Sequence, residues 1–515
     1  MNRKIVLHLI CVLNAIIGIA ILISGAVAFL MQDPLFERLT LCGTGGVLAF
    51  LFAGIALLTR PKNEEDRKFS YKEGLATVAF GWLAVSIVGA VPFITVTGMH
   101  WYDAFFETAS GFSTTGASVI DSSLRLMDGS TLPNGVESLS YGILFWRSLT
   151  HWLGGMGIVV LTIAILPLLN IGGQVMYNAE ATGLKSSESK LAPRIASSAK
   201  LLWIIYVIIT TAEVIMLYLG GMNIFDSVCH SFGTIATGGF STKQSSIAYY
   251  SSAYIDWVIT FFMFLAGCNF ALHLRCFTGK KLFYWKDEEF RFYCTIILTA
   301  IILISLSLIF APSFSDPLAN TSFFHQPALA IRAAAFQVLS ILSSTGFATA
   351  DYCAWPTITC MILFILMFIG GCGGSTAGGM KCIRAMILNK YSLSEIRRCY
   401  MPHLLPDIRL NGERQDAVAI QKTIGFFALF FGSYLVIVIL VALVCPGPRM
   451  DFSTAASVSI ACLSNIGPGF GNIGPTCSYA WMTPTTKVLL SYVMILGRLE
   501  LFTLLVLFFP SFWKK

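Results

Sequence analysis

Four short glycine-containing elements in an otherwise apolar chain have the residue types of an ion-binding site. They read SGFSTTGAS at 110–118, TIATGGFST at 234–242, SSTGFATAD at 343–351 and CLSNIGPGFG at 462–471. Glycine allows successive carbonyl groups to point the same way, because it adopts φ > 0 at little steric cost. Serine and threonine keep the wall small and add oxygen ligands. Neutral oxygens arranged in this way hold a dehydrated monovalent cation.

The donors in these elements favour a monovalent over a divalent cation. Mg²⁺ and Ca²⁺ prefer carboxylates, and Asp351, five residues after Gly346, is the one carboxylate within the four quoted elements. A single S-T-G sequence is as typical of an ordinary loop as of an ion filter. Four copies become specific if they occupy equivalent positions in a repeated fold.

The composition indicates a membrane protein with many spans. Of 515 residues, 56% are hydrophobic and 12% are charged, with a mean hydropathy of +0.75, whereas about a quarter of the residues in a soluble globular protein are charged. Apolar stretches of about 20 residues cross a hydrocarbon core of about 30 Å. About ten such spans are predicted, at about 5–30, 40–58, 75–97, 139–166, 198–219, 253–276, 292–311, 357–387, 423–444 and 484–509.

The distribution of charge gives the orientation. Lysine and arginine cluster in every second loop, which marks those loops as cytoplasmic. The net charge of +7 is split among short loops, so it reflects topology and argues against a nucleic-acid partner. The 14 cysteines lie mostly in apolar spans and form no C-x-x-C pair, so neither a disulfide framework nor a zinc site is indicated.

Four shorter apolar segments on the outer side predict re-entrant half helices. They are WYDAFFETASGF at 101–112, NIFDSVCHSFGTIA at 223–236, ALAIRAAAFQVLSILS at 328–343 and MDFSTAASVSIACLS at 450–464. Three of them start beside an aspartate that suits an N-cap, namely Asp103, Asp226 and Asp451. Each segment ends at one of the glycine elements, so the C-terminal end of its helix dipole would face the bound cation.

The glycine elements recur at a regular spacing, which predicts internal repeats. Gly116, Gly238, Gly346 and Gly467 are separated by 122, 108 and 121 residues. The predicted fold is an all-α polytopic membrane protein with four span, pore-helix, filter and span repeats around a pseudo-fourfold pore. Two extra spans occupy 1–68, and the pore repeats occupy 69–185, 186–286, 287–400 and 401–515.

Together these motifs resemble the Trk/Ktr/HKT potassium transporter superfamily, and most closely its Trk-type H subunits. The resemblance covers essentially the whole chain and includes HWLGGMGI from His151, GGCGGSTAGGMK from Gly370 and GRLELFT from Gly497. It implies a homodimer in the lipid bilayer of the bacterial inner membrane. It also implies a cytoplasmic TrkA-like regulatory ring that binds NAD(H) or ATP/ADP, K⁺ as the bound and transported ion, and no organic cofactor in this chain.

The resemblance also implies the residues of the K⁺ filter. They are Thr114, Thr115 and Gly116; Ala236, Thr237 and Gly238; Ser344, Thr345 and Gly346; and Asn465, Ile466 and Gly467. The fourth turn has Asn465 and Ile466 where the first has two threonines. Unequal coordination by the four quarters is therefore expected.

A glycine run within the predicted span 357–387 indicates an unwound segment, because each glycine inside a helix costs up to about 1 kcal/mol relative to alanine. The resemblance implies an intramembrane gating loop formed by Gly370, Gly371, Gly373, Gly374, Ser375, Thr376, Gly378 and Gly379, with Lys381 at its base. Close helix packing through small residues is the alternative. Met380 separates Gly379 from Lys381 and no strand precedes the run, so a Walker phosphate-binding loop is rejected.

Three ionisable residues in the spans need an explanation. The resemblance places Arg498 on the pore axis beneath the filter as a barrier to cations, and a simple ion pair with Glu500 is the alternative. Glu213 is either a satisfied buried acid or a proton-coupling group. His151 is expected to pack between helices.

The predicted function is K⁺ uptake through a K⁺-selective, Rb⁺-permeable pore, gated by the cytoplasmic partner. A Na⁺/K⁺ or H⁺-coupled cation symporter is the first alternative. A transporter of organic solutes would show inverted repeats, whereas these half helices all come from the outer side. An enzyme would need a clustered acid, base and nucleophile, and the sequence offers none.

Overall fold

The structure is a computed structural model, and it describes residues 2–61, 71–157, 195–277, 283–311, 315–316, 321–322, 326–401, 403 and 407–513. The predicted boundary between the first two repeats, at 185 and 186, lies outside these residues, as does the end of the predicted span 139–166. The described residues are mostly helical, and the predicted all-α membrane fold with four pore repeats is confirmed.

Two N-terminal helices form a hairpin outside the repeats. They are α1 (Arg3–Leu30) and α2 (Leu35–Thr59), which pack closely along their length. Small residues allow this approach, since a Cβ on Gly18 would lie less than 3.0 Å from the backbone of Ala49. Only Leu41, Gly45 and Ala56 of α2 are buried, which suits a helix that faces lipid.

The remaining helices follow the predicted repeat. The first repeat contains α3 (Tyr71–Gly89), α4 (Val91–Thr97), α5 (Trp101–Phe112) and α6 (Tyr141–Gly155). The second contains α7 (Ile195–Leu219), α8 (Ile224–Ile235), α9 (Ala253–Gly267), α10 (Phe270–Phe277) and α11 (Phe283–Lys286). The third contains α12 (Glu288–Ile309), α13 (Pro327–Leu342), α14 (Thr357–Ile369) and α15 (Cys382–Tyr400). The fourth contains α16 (Ala417–Val444), α17 (Phe452–Leu463), α18 (Pro484–Arg498), α19 (Phe502–Leu505) and α20 (Pro510–Trp513).

Short elements complete the described chain. The 3₁₀ helices are Gly135–Ser138, Ser246–Tyr250, Tyr352–Ala354, Gly471–Ile473 and Val506–Phe508. Two antiparallel pairs of strands join β1 (Ser315–Asp316) to β2 (Thr321–Ser322) and β3 (Arg409–Leu410) to β4 (Glu413–Arg414).

Several predicted spans are broken. By length and composition, six of the described helical stretches can cross a membrane, and two further spans are bent pairs, α9 with α10 at 99° and α18 with α19 at 114°. The predicted span 357–387 is interrupted at its glycine run, as predicted, because α14 ends at Ile369 and α15 begins at Cys382. The glycine run fills the interval, as its helix propensity requires.

The pore helices are α5, α8, α13 and α17, and they begin differently from the prediction. Asp451 caps α17 by accepting a hydrogen bond from the Thr454 amide at 2.9 Å, as predicted. Asp103 and Asp226 lie in the first turns of α5 and α8 instead, and Asn223 caps α8 with a 2.7 Å bond from the Asp226 amide. A carboxylate in the first turn still interacts favourably with the positive end of the helix dipole.

The pore helices are arranged as a closed ring. Each packs against the last long helix or half span of the preceding repeat: α8 against α6, α13 against α9, α17 against α14, and α5 against α18. The contact between α5 and α18 joins the first repeat to the fourth. The buried centre of the molecule is therefore built from all four repeats, and the four glycine turns meet there.

Candidate functional site: a ring of four glycine turns

Each pore helix continues into the same backbone turn. The first residue of each turn is left-handed, with φ of 54° at Thr114, 55° at Thr237, 55° at Ser344 and 56° at Asn465. Two residues later comes a left-handed glycine, with φ of 79° at Gly116, 78° at Gly239, 81° at Gly346 and 92° at Gly467. Non-glycine residues rarely adopt φ > 0, and such strain is typical of ligand-binding sites.

The same hydrogen bond closes every turn. The amide of the middle residue donates to the carbonyl five positions earlier: Thr115 to Ser110 at 2.9 Å, and Gly238 to Gly233, Thr345 to Ser340 and Ile466 to Ala461 at 2.8 Å each. The four quarters are thus equivalent in their backbone although their side chains differ.

The second turn lies one residue later than predicted. Its triplet is Thr237, Gly238 and Gly239, and Ala236 is the right-handed residue that ends α8. The prediction of Ala236, Thr237 and Gly238 was wrong in register because two glycines stand side by side there. The predicted first, third and fourth triplets coincide with the equivalent turns.

His151 explains the additional glycine in the second turn. A Cβ on Gly238 would lie less than 3.0 Å from the His151 ring. That ring is buried, stacks on Phe240 at 4.0 Å between centroids, and bonds through Nδ1 to the Gly111 carbonyl at 2.7 Å. The imidazole therefore packs against the middle residue of the second turn, Gly238. The middle residues of the other three turns have side chains of their own.

The left-handed glycines bring the turns together. A Cβ on Gly116 would lie less than 3.0 Å from the carbonyl oxygen of Gly238 in the second turn. The same holds from each quarter to the next: Gly239 against Thr345, Gly346 against Ile466, and Gly467 against Thr115. Four steps return to the first turn, so the carbonyls of the four middle residues form a closed ring.

The fourth turn keeps this backbone and uses its side chain differently. The side-chain amide nitrogen of Asn465, Nδ2, donates to Thr115 Oγ1 at 2.9 Å and to the Met494 carbonyl at 2.8 Å. In the first and third turns a serine bonds to the middle threonine instead, Ser113 to Thr115 and Ser343 to Thr345, both at 2.7 Å. Asn465 therefore fixes the fourth quarter against the first.

A buried ion pair fixes the segments that follow the first two turns. Glu107 on α5 accepts from the Val119 amide at 3.0 Å and from Arg147 Nε on α6 at 2.6 Å. Arg147 also donates to the Ser241 carbonyl at 2.8 Å and lies over the Phe240 ring at 3.6 Å. Both charges are compensated by these contacts, as burial requires.

The glycine run lies directly below the ring. The Gly378 amide donates to Ser344 Oγ at 2.6 Å, and a Cβ on Gly378 would lie less than 3.0 Å from the Ser464 carbonyl. Thr376 Oγ1 donates to the Ile235 carbonyl, at the end of α8, at 3.0 Å. The loop thus contacts the second, third and fourth quarters on the side opposite the outer cavity described below.

The base of the loop is closed by its own backbone. Gly370, Gly374, Gly379 and Lys381 are left-handed, with φ of 79°, 75°, 75° and 75°. The Cys382 amide donates to the Gly371 carbonyl at 2.8 Å, and the Lys381 ammonium turns back onto the Ala377 carbonyl. Glu289 on α12 accepts from the Gly373 amide at 2.6 Å. The loop is therefore an ordered structure held at several points.

Arg498 joins this loop to the first repeat. Its guanidinium donates to the carbonyls of Thr376 at 2.7 Å, Gly154 at 2.7 Å and Gly155 at 2.9 Å. Glu500, the partner in the alternative interpretation, forms an ion pair with Arg384. The positive charge thus lies beside the loop and beneath the ring.

Glu213 on α7 is fully buried beside Thr234 of α8, and among the described residues no group lies in full hydrogen-bond geometry with either carboxylate oxygen. The structure brings it close to the pore helix α8 and not into the ring. Its two predicted interpretations therefore remain open.

An outer cavity lies on the other side of the ring. It holds about 640 Å³ of empty space, part of it open to solvent, and the four left-handed glycines line it together with Arg147 and Lys243. The axis thus runs from this cavity through the carbonyl ring to the glycine loop. The sequence did not predict that Arg147, Lys243 and Tyr479 line this cavity, because only tertiary contacts bring them there.

A closed ring of repeated pore helices with a carbonyl-lined axis defines a membrane protein that passes ions. The TrkH family model, described as a cation transport protein, matches residues 44–515, and the chain belongs to this family. The Trk system potassium uptake protein TrkH of Escherichia coli K12 is 36% identical, with both chains covered fully. TrkH of Vibrio parahaemolyticus is 34% identical, again over both full chains.

A solved structure supports the same assignment. The crystal structure of the potassium transporter TrkH from Vibrio parahaemolyticus matches with a TM-score of 0.83 and 32% sequence identity, covering 100% of both chains. The resemblance predicted from the motifs is confirmed. The chain is a multi-pass protein of the inner membrane.

Proposed function

We propose that the protein takes up K⁺ across the inner membrane through a K⁺-selective pore that also passes Rb⁺. One observation carries this proposal: the four equivalent turns form a closed ring, in which the left-handed glycine of each turn packs against a carbonyl oxygen of the next turn. Neutral carbonyl oxygens replace the hydration shell of a monovalent cation. The names of the full-length relatives as potassium uptake proteins support K⁺ as the transported ion.

The filter residues in this proposal are the four structurally equivalent triplets. They are Thr114, Thr115 and Gly116; Thr237, Gly238 and Gly239; Ser344, Thr345 and Gly346; and Asn465, Ile466 and Gly467. K⁺ is held by oxygens of these residues, and the proposal assigns this chain no catalytic residue and no organic cofactor.

Uptake of labelled K⁺, Rb⁺ and Na⁺ into proteoliposomes tests the function. We expect K⁺ and Rb⁺ uptake to exceed Na⁺ uptake in vesicles that contain the purified protein, relative to empty vesicles. Equal uptake of all three cations would reject selectivity, and no uptake with or without the regulatory partner would reject the pore.

The segment Gly370–Lys381 is proposed as the gate. Its contacts with Ser344, Ser464 and Ile235 leave it immediately below the filter. Backbone rich in glycine has a low cost of rearrangement, since several conformations are open to it. A shift of this loop would open the path to the cytoplasm.

A cytoplasmic ring of TrkA-like, nucleotide-binding subunits is proposed to move the gate. The relatives are named as parts of a Trk system, which supports a multi-component assembly. Between α15 and α16, the described residues form only the β3–β4 hairpin, in which the exposed Arg409 and Arg414 share one acid, Asp407, at 2.8 and 3.6 Å and so keep a net positive charge. An acidic or dipolar surface on the partner would complement these cations, and its nucleotide is NAD(H) or ATP/ADP.

The organisation of the chain is proposed as a homodimer of five-part subunits. Each subunit has two N-terminal spans at 1–68 and pore repeats at 69–185, 186–286, 287–400 and 401–515. The mass of the detergent-solubilised protein, measured by light scattering with subtraction of bound detergent, distinguishes one 56.3 kDa chain from two.

Replacing Arg498 by alanine is expected to raise Rb⁺ flux several-fold at matched protein amount. The change removes a positive charge from the proposed conduction path and the hydrogen bond to the Thr376 carbonyl. Both the electrostatic barrier and one contact that holds the loop in place are therefore lost. Rb⁺ flux into proteoliposomes measures the effect.

The Arg498→Lys variant separates these contributions, since lysine keeps the charge without the planar set of donors. Flux near the original value in Arg498→Lys assigns the barrier to charge. Flux that is unchanged or lower in Arg498→Ala would contradict the barrier.

A further inference from the structure

The β3–β4 hairpin, which carries the proposed docking surface for the cytoplasmic ring, is bonded at its tip to the start of α12. Asn411 at this tip is left-handed, with φ of 52°, and its side-chain oxygen accepts from the Glu288 amide at 2.7 Å. Its side-chain nitrogen donates to Asp287 Oδ2 at 2.9 Å. Asp287 in turn caps α12 by accepting from the Phe290 amide at 2.8 Å. The hairpin tip and the start of α12 are thus joined although they lie 123 positions apart in the sequence.

A second contact holds the hairpin at the same place. Lys390 on α15 forms an ion pair with Glu288. Its ammonium also donates to the Arg409 carbonyl on β3 at 2.6 Å. Strand β3 is thereby attached to α15, and through Glu288 to α12, so the first two acids of α12 and its cap both hold the hairpin.

The next residue of α12, Glu289, contacts the glycine loop instead. It is buried and accepts from the Gly373 amide at 2.6 Å. The same carboxylate interacts with the Ile383 amide at the start of α15, just after the loop. Three consecutive residues, 287–289, therefore contact the hairpin at one end and the loop at the other.

The loop residues on either side of Gly373 bond to a different element, the bend between α9 and α10. The Cys372 amide donates to the Gly267 carbonyl at 2.9 Å. The Gly374 carbonyl accepts from the Phe270 amide at 3.1 Å. Because α12 holds one side of this stretch and the bend holds the other, a displacement of α12 relative to the bend must change these bonds.

We propose that residues 287–289 pass movement of the β3–β4 hairpin to the glycine loop. The proposal rests on the gate and the cytoplasmic ring proposed above, and it names the route between them. Coupling between two sites is carried by contiguous contacts and rigid secondary elements, and this route needs only the first turn of α12. Glu289 is a positioning residue in it, since it acts on the loop through the Gly373 amide.

Hydrogen exchange of the full-length protein in detergent tests the route without the ring or its nucleotide. Asn411→Ala removes both hydrogen bonds of the hairpin tip to α12 and changes no residue of the loop. We expect the amides of 370–381 to exchange about fivefold faster, because the net contribution of one hydrogen bond corresponds to about that factor in a local opening equilibrium. Glu413→Gln is the matched control, since Glu413 is exposed on β4 and takes no part in the hydrogen bonds described above. It should leave loop exchange unchanged.

A second substitution shows whether the effect passes through α12. Glu289→Met removes the acceptor of the Gly373 amide and keeps an unbranched side chain, so loop exchange should rise at least fivefold, by about the factor of one hydrogen bond or more. In that background Asn411→Ala should add nothing, because the effects of coupled residues do not add. Glu289→Gln keeps an oxygen acceptor and should stay close to the original protein. If Glu289→Met does not fold, the comparison of Asn411→Ala with Glu413→Gln still decides whether the hairpin tip is coupled to the loop.

Unchanged loop exchange in Asn411→Ala would overturn the proposal. An equal rise in the original and Glu289→Met backgrounds would also overturn it, because the route would then bypass α12. Rb⁺ flux into proteoliposomes without the ring separates this result from the proposed gate, and we expect it to rise in Asn411→Ala together with loop exchange. Faster loop exchange without a rise in Rb⁺ flux would support the route and reject the loop as the gate.

Discussion

Serine at Gly116 or at Gly346 is expected to reduce the preference for Rb⁺ over Na⁺ by about tenfold or more. Both glycines have φ near +80°, and a Cβ on either would lie less than 3.0 Å from the carbonyl oxygen of the next turn. Strain of this kind costs about 1–3 kcal/mol, and each 1.4 kcal/mol corresponds to a tenfold change in an equilibrium. The ratio of Rb⁺ to Na⁺ flux into proteoliposomes measures the loss.

Gly98→Ser provides a control for backbone strain. Gly98 has φ of 71°, between α4 and α5, and nothing lies within 4 Å of its Cβ position. This variant carries the conformational cost without the clash, so its flux ratio should match the original. An unchanged ratio in both Gly116→Ser and Gly346→Ser would contradict the filter assignment.

A pair of substitutions checks the register of the second turn. Gly238→Ala should impair selectivity because its Cβ meets the His151 ring, and His151→Ala in the same chain should restore part of it. Gly239→Ala meets the Thr345 carbonyl instead, so His151→Ala should not restore it. Equal restoration of both variants would show that Gly239 is not the equivalent of Gly116.

Deleting Gly373–Gly378 is expected to give a pore that conducts in the absence of the cytoplasmic ring. The deletion removes the contacts of Thr376 and Gly378 beneath the filter. The residues on either side of the deletion are already close, because a Cβ on Gly379 would lie 3.0 Å from the Cα of Gly370, and the Cys382 amide donates to the Gly371 carbonyl at 2.8 Å. Rb⁺ flux without the ring should rise by at least an order of magnitude over the closed original, with the flux ratio kept.

Thr376→Val gives a milder version of the same experiment, in case the deletion does not fold. It removes the hydroxyl that donates to the Ile235 and Ala266 carbonyls at 3.0 and 3.3 Å while keeping the shape of the side chain. We expect a smaller rise in flux without the ring. A deletion variant that still needs the ring and its nucleotide would show that this loop is not the gate.

The repeated fold could be predicted from the sequence because hydropathy and glycine spacing are local signals that recur. The half helices follow from them directly, whereas the residues of the four triplets were predicted from the resemblance to a family. The register of the second turn follows from neither, because Gly238 and Gly239 are alike in sequence and only the contact with His151 distinguishes them. That contact joins residues separated by 87 positions, and no local pattern reports it.

Other features could not be predicted either, because they also depend on contacts between residues that are far apart in the sequence. The bends of 99° after α9 and 114° after α18 fall in stretches with apolar composition typical of continuous spans. The left-handed threonines in the filter contradict the local preference of threonine, so only the closed ring of neighbours reveals them. The partners of Arg498 are backbone carbonyls, which carry no sequence signal at all.

The four pore helices carry different residues at the position seven before the first left-handed residue: Glu107, His230, Gln337 and Val458. Glu107 and His230 both bind the serine that follows their own turn, Ser118 at 3.0 Å and Ser241 at 2.9 Å. Because one chain supplies all quarters, a mutation alters a single quadrant, whereas in a homotetrameric channel it alters four at once. Selectivity can therefore drift in small steps, one quadrant at a time, without an intermediate in which the whole filter is lost.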